Sequence, residues 1–69
     1  MVVEKSIDLT ATGPTIDGAV TEAVDRAGLT LDGITSFSVV DIAGVVEDGR
    51  ITYRVRVRVN FTLLERFHE

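Results

Sequence analysis

Residues 51–63 alternate without a fault: Ile51, Tyr53, Val55, Val57, Val59, Phe61 and Leu63 are apolar, and every residue between them is polar. A period of two places all seven apolar side chains on one face of an extended strand. At roughly 3.3 Å per residue that strand runs for about 43 Å. A compact globule of this chain length has a radius of gyration of about 11 Å and a diameter near 28 Å by the same order of estimate. The strand therefore outruns its own domain. Either it bends sharply around the remaining residues or another copy of the chain covers its far end, and self-association is the leading expectation.

The rest of the chain is patterned more loosely. In residues 3–11, Val3, Ile7, Leu9 and Ala11 occupy alternate positions with Lys5 as the exception, which predicts a first strand. Thr12-Gly13-Pro14 breaks it. Gly13 is the expected N-cap and Pro14 the expected first helical residue, because proline's missing N–H would have no partner there. Ile16, Ala19, Val20, Ala23, Val24 and Ala27 then recur at spacings of three and four, forming the stripe of an amphipathic helix that ends at Gly28. Asp17 suits the positive end of the helix dipole, and Glu22 stands four residues before Arg26 as an exposed ion pair. Alanine at 19, 23 and 27 keeps one edge of the stripe thin enough for a sheet to approach closely.

Asp32-Gly33 marks a turn, and the β-branched residues 34–46 with Phe37 predict a second extended segment. Val39-Val40 and Val45-Val46 put apolar groups on both faces, which implies a bulge near residues 41–44 or burial on both sides against a neighbouring subunit. Glu47-Asp48-Gly49-Arg50 reads as a hairpin loop feeding the long strand. Strand, helix, strand, strand with a right-handed crossover gives an α+β protomer: a three-stranded antiparallel sheet of order 1-3-2 packed on one amphipathic helix. Ile7, Leu9, Phe37, Val39, Val55, Val57, Val59 and Phe61 would face the helix. Arg54, Arg56 and Arg58 would share the other face with Glu4, Ser6 and Asp8, where cross-strand pairing is expected.

Sixty-nine residues make a single domain, 1–69, that buries a modest fraction of its surface. Cysteine is absent, so no disulfide or thiolate metal site supports it, and the single His68 sits at the C-terminus, away from any interior site. With 45% hydrophobic residues the chain is nonetheless globular. Seven basic residues against eleven acidic ones give a net charge of −4, which argues against nucleic acid or an anionic membrane as the main partner. The N-terminus lacks a secretion-signal pattern, and no apolar run approaches the roughly 20 residues that span a bilayer. A cytoplasmic protein is the default expectation.

Catalytic signatures are missing too. There is no interior histidine, no Gly-x-Ser-x-Gly elbow and no phosphate-cradling glycine loop, and Ser36 and Ser38 have no visible activating base, so a non-enzyme is expected. Arg54, Arg56 and Arg58 suit bidentate contacts with an anionic ligand such as a nucleotide phosphate. The plainer reading is that they deter edge pairing or meet acidic cross-strand partners.

The order β-α-β-β, the alanine-spaced helix with Ala23-Val24-Asp25-Arg26-Ala27, the segment carrying Phe37, Val39, Ile42 and Gly44, and the strand carrying Tyr53, Val55, Val59, Phe61 and Leu63 together resemble the dodecins. The resemblance includes the Thr-Gly-Pro break and covers nearly the whole chain. It implies a hollow homododecamer that binds small ligands, in many members paired flavins that are stored rather than turned over. It also implies cofactor-binding positions at Ser36, Arg54 and Asp41, two of them substituted. Flavin-binding dodecins carry a tryptophan at the Ser36 position, and losing an aromatic platform worth about 1–3 kcal/mol weakens binding roughly 5-fold to over 100-fold. At the Arg54 position the family has a glutamine that both donates to and accepts from the ring edge, whereas a guanidinium only donates. Flavin binding is thus expected to be weak or absent.

Two further readings accompany that one. Rotational symmetry can gather copies of one carboxylate into an oxygen-ligand site for Ca²⁺ or Mg²⁺, with Asp41, Glu47 and Asp48 as candidates, although no acidic loop here has calcium-loop spacing. Asp41 matches an acidic residue that some dodecins carry near ligand and ion. Within its apolar stretch it needs solvent, an arginine or a cation to offset burial. A genuine flavin-sequestering dodecin is the other alternative.

Overall fold

Strand β1 (Val2–Gly13), helix α1 (Ile16–Gly28), strand β2 (Ile34–Glu47) and strand β3 (Arg50–Leu64) follow one another in the computed structural model, which describes residues 2–64. The expectation placed on His68 lies outside the described residues. β3 is central and antiparallel to both neighbours, giving the predicted order β1-β3-β2 and the predicted α+β protomer. Its unbroken alternation explains that position: Val55, Val57 and Val59 are wholly buried and Phe61 nearly so, while the arginines between them stay exposed. Ala19, Ala23 and Ala27 are buried against this strip. Their short side chains bring the helix backbone close to the sheet, so the protomer's core consists of valine methyls under alanine rather than large interlocking groups.

The helix start differs from expectation. Thr15, not Gly13, is the N-cap: its backbone is extended (φ −135°, ψ 154°), and its hydroxyl accepts the Gly18 N–H at 3.1 Å. A hydroxyl satisfies one of the orphan donors of the first turn, which glycine cannot do. Pro14 consequently precedes the cap instead of opening the helix. Gly28 ends the helix as predicted, and the chain leaves through Leu29 and Thr30, which donate to the carbonyls of Arg26 and Ala27. Gly33 then turns into β2 with φ +75°, and a Cβ there would stand 3.0 Å from the Thr62 carbonyl oxygen.

The bulge expected near residues 41–44 falls at the edge of that span, and a second one lies earlier in β2. Register shifts fall between Ile34 and Ser36 and between Val39 and Asp41, so Thr35 and Val40 are the extra residues, not a position within 41–44. Each bulge resets the alternation. Ile34, Phe37, Val39, Ile42, Gly44 and Val46 therefore all fall on the helix side, opposite Phe61, Val59, Val57, Val55, Tyr53 and Ile51. Asp48 (φ 50°) and Gly49 (φ 74°) close the hairpin as a two-residue turn with both φ positive, the primed geometry that matches strand twist.

The long strand does not curl back on the protomer. The molecule measures 62 × 19 × 14 Å with a radius of gyration of 15.2 Å, against the roughly 11 Å of a compact chain. β1 stops pairing at Tyr53, so the hairpin continues beyond it as a two-stranded ribbon. Val45, Val46 and Ile51 lie on that ribbon, Val46 with 71% and Ile51 with 53% of its surface exposed. Phe37, which the sequence places on the helix side, is still 50% exposed because α1 packs on β3 and β1 and only thinly on β2.

Candidate ligand-binding face

On the sheet face turned away from α1, β3 presents Arg54, Arg56, Arg58 and Asn60 in a row. β1 flanks them with Thr12, Thr10, Asp8 and Ser6, and β2 with Ala43, Asp41, Ser38 and Ser36. The row follows directly from the period of two. Arg58 donates from Nε and one terminal nitrogen to the two carboxylate oxygens of Asp8, at 2.9 and 3.2 Å. That hydrogen bond chiefly holds the Asp8 carboxyl below its ordinary value; partial desolvation opposes it, and the charges of Arg58 and Arg56 add to it. Arg58 is correspondingly shifted upward.

The other two arginines are left over. Arg56 stands between Thr10 and Asp41, and Arg54 between Thr12 and Ala43. Neither forms a salt bridge among the described residues, where the ion pairs are Asp8–Arg58 and the predicted Glu22–Arg26. Asp41 is exposed immediately after the Val40 bulge, in register with Arg56. Among the described residues no three acidic or histidine groups gather as a metal site, so Asp41, Glu47 and Asp48 form no cation shell within one protomer.

Ser36 is tied at the other end of the face: the Asn60 side-chain amide donates to its hydroxyl at 3.0 Å. Ser36 pairs with Asn60 and Arg54 lies six residues further along the same strand, a separation of roughly 20 Å. One protomer therefore brings Asp41 and Arg54 into neighbouring positions but not Ser36 and Arg54. The described aromatic residues, Phe37, Tyr53 and Phe61, all fall on the helix side by register. The arginine face thus carries no described aromatic side chain on which a flavin ring could stack.

Asn60 as the anchor of Ser36 was not anticipated, although its place in the polar set of β3 signals it. Also unanticipated is a hollow of about 160 Å³ between α1 and β2, lined by Val20, Thr21, Val24, Asp25 and Phe37.

The family model described as Dodecin matches residues 3–64. The chain belongs to the dodecin family. Among solved structures, a mutant of the T. thermophilus dodecin is similar at 31% identity and a TM-score of 0.87, over 94% of this chain and 100% of that one. The dodecin from Streptomyces davaonensis is similar at 32% identity and a TM-score of 0.85, over 93% and 97%. The calcium-chelating immunodominant antigen of Mycobacterium tuberculosis, a calcium dodecin with a novel calcium-binding site, is similar at 33% identity and a TM-score of 0.80, over 97% and 99%. No curated protein matches the sequence. No helix among the described residues is long and apolar enough to cross a membrane.

Proposed function

We propose that the chain is a non-enzymatic, homododecameric protein that binds and stores a small ligand, with a flavin site weakened by Ser36 and Arg54. The observation that carries this reading is the occupied Ser36 hydroxyl on a face without a described aromatic residue. A serine held by an amide offers no flat surface to an isoalloxazine ring, and without a stacking group there the ring loses a large part of its binding energy. The apolar ribbon at Val45, Val46 and Ile51 supports assembly, since surface of that kind is covered in stable oligomers.

Riboflavin fluorescence titrated with the purified protein tests the site. Little quenching at micromolar protein is expected, and strong quenching would show that a flavin site persists despite Ser36 and Arg54. A cation-binding shell is the second reading, favoured by the similarity to a calcium dodecin and by exposed Asp41. Arg56 in register with Asp41 weighs against it, because a fixed positive charge opposes a second cation. Elemental analysis for calcium, repeated on Asp41→Asn, separates the two.

A further inference from the structure

We propose that Asp48 is a modification site at the tip of the hairpin: its side-chain carboxyl condenses with the Gly49 backbone nitrogen to a succinimide, which reopens to isoaspartate. That ring closes most readily when the following residue is glycine, because a Cβ there obstructs the approach of its nitrogen. The chain contains three such sequences, Asp17-Gly18, Asp32-Gly33 and Asp48-Gly49. Each sits in a different local structure, and the fold leaves the last one open. The Gly18 N–H is engaged by the Thr15 hydroxyl at 3.1 Å in the first turn of α1, so its nitrogen attacks only at the expense of the cap. Gly33 is pinned through its carbonyl, which accepts the Thr62 N–H at 3.1 Å. A Cβ on Gly33 would stand 3.0 Å from the Thr62 carbonyl oxygen, so its peptide has little room to swing.

Asp48-Gly49 has neither restraint. Both residues are exposed in the two-residue turn between Glu47 and Arg50. Nothing lies within 4 Å of the point where a Gly49 Cβ would stand. The Gly49 N–H takes no part in the turn, loop and cap bonds among the described residues, and the Asp48 carboxylate makes no ion pair among them. Asp48 is also the one non-glycine residue with a positive φ, 50°, among those described. A left-handed backbone strains an L residue. The reaction balances within the chain and water. The Gly49 nitrogen gives up its proton and bonds to Asp48 Cγ, and the hydroxyl of the protonated carboxyl leaves with that proton as water. Water then adds to the main-chain carbonyl carbon of Asp48 and breaks its bond to the Gly49 nitrogen. The chain now runs through Cβ and Cγ, and the former main-chain carbonyl is a free carboxylate. Nothing is oxidised or reduced, and the mass is unchanged. The added backbone carbon gives the turn a further rotatable bond, which relieves the left-handed strain.

The test is to hold the purified full-length protein for weeks at body temperature in mildly acidic buffer. It is then digested with an endoproteinase that cuts before aspartate but not before isoaspartate, and the uncut fragments are assigned by mass. Isoaspartate at 48 is expected to exceed that at 17 and at 32 by about fivefold or more, the factor that relief of left-handed strain supplies. In urea, where neither cap nor turn survives, the three pairs should react alike, so the ranking belongs to the fold. Asp48→Gly suits the same primed turn and should remove the product at that position while leaving 17 and 32 as they were. Asp48→Asn should give the same product faster, with ammonia released instead of water. Circular dichroism and light scattering confirm that both variants keep the fold and the assembly state. No isoaspartate at 48 in the folded protein, or equal amounts at the three pairs, would overturn the proposal. So would a folded sample whose ranking matches the one in urea.

Discussion

Arg58 on the central strand grips both carboxylate oxygens of Asp8 on the neighbouring strand, at 2.9 and 3.2 Å, across fifty residues of sequence. It is the one guanidinium of the three-arginine row that forms a salt bridge among the described residues. The pair ties β1 to β3 on the sheet face turned away from α1, just as Val57 and Val59 tie them to the helix on the other.

The pH dependence of this pair has a definite sign. Asp8 titrates below its ordinary value in the folded protein, so the unfolded chain binds its proton more readily, and the contribution is complete above about 3.8. It is lost as pH falls through the lower folded value. Arg58 is raised, so its contribution is lost only at extreme alkaline pH. Urea unfolding between pH 2.5 and 7 should show Asp8→Asn closing its gap to the natural protein as acid is added. A gap that stays constant over that range would contradict the assignment. Because both side chains are well exposed, the effect is expected to be small and to shrink in salt.

Thr15→Ala removes the acceptor for the Gly18 N–H and is expected to lower stability by about 1 kcal/mol, while Thr15→Ser retains it. Urea midpoints compared at one protomer concentration give the measurement, since assembly makes stability concentration-dependent. An unaffected Thr15→Ala protein would show that the cap contributes nothing.

Val57→Ala hollows the middle of the wholly buried valine strip and should cost about 2 kcal/mol, the burial of its lost methyl groups together with the cavity left under α1. Val45→Ala on the ribbon has no such effect inside one protomer. Its stability effect therefore reports on contacts between copies.

Much of this architecture is legible in the chain because the signals are local and periodic. β3 announces itself through thirteen alternating residues, and once it is long and two-faced, the sheet order follows from connectivity. The helix cap is harder to read, since Gly13, Pro14 and Thr15 all suit a helix entrance, and only the position of the first free N–H decides for the hydroxyl. Bulges at Thr35 and Val40 are harder again. The doubled Val39-Val40 marks the second to within a residue, whereas the first leaves only the changed spacing of Ile34 and Phe37. The site is the least legible part. Ser36 and Arg54 stand far apart on one protomer, so their joint meaning depends on neighbours that a single chain's pattern cannot place.

Ser36→Trp should restore an aromatic platform to the face. Riboflavin binding is expected to tighten roughly 5-fold to 100-fold, read as fluorescence quenching. The same variant frees the Asn60 amide for a ligand or water. No gain in quenching by an assembled Ser36→Trp protein would mean that the absent ring is not what limits flavin affinity.

The central claim is that the ribbon of Val45, Val46 and Ile51 and the half-covered Phe37 are interior surface of an assembly. Light scattering on the purified protein at low and high salt tests it most directly. A mass near twelve times the 7.5 kDa protomer is predicted at both, with Val46→Lys falling to smaller species. A folded, monodisperse monomer would contradict it.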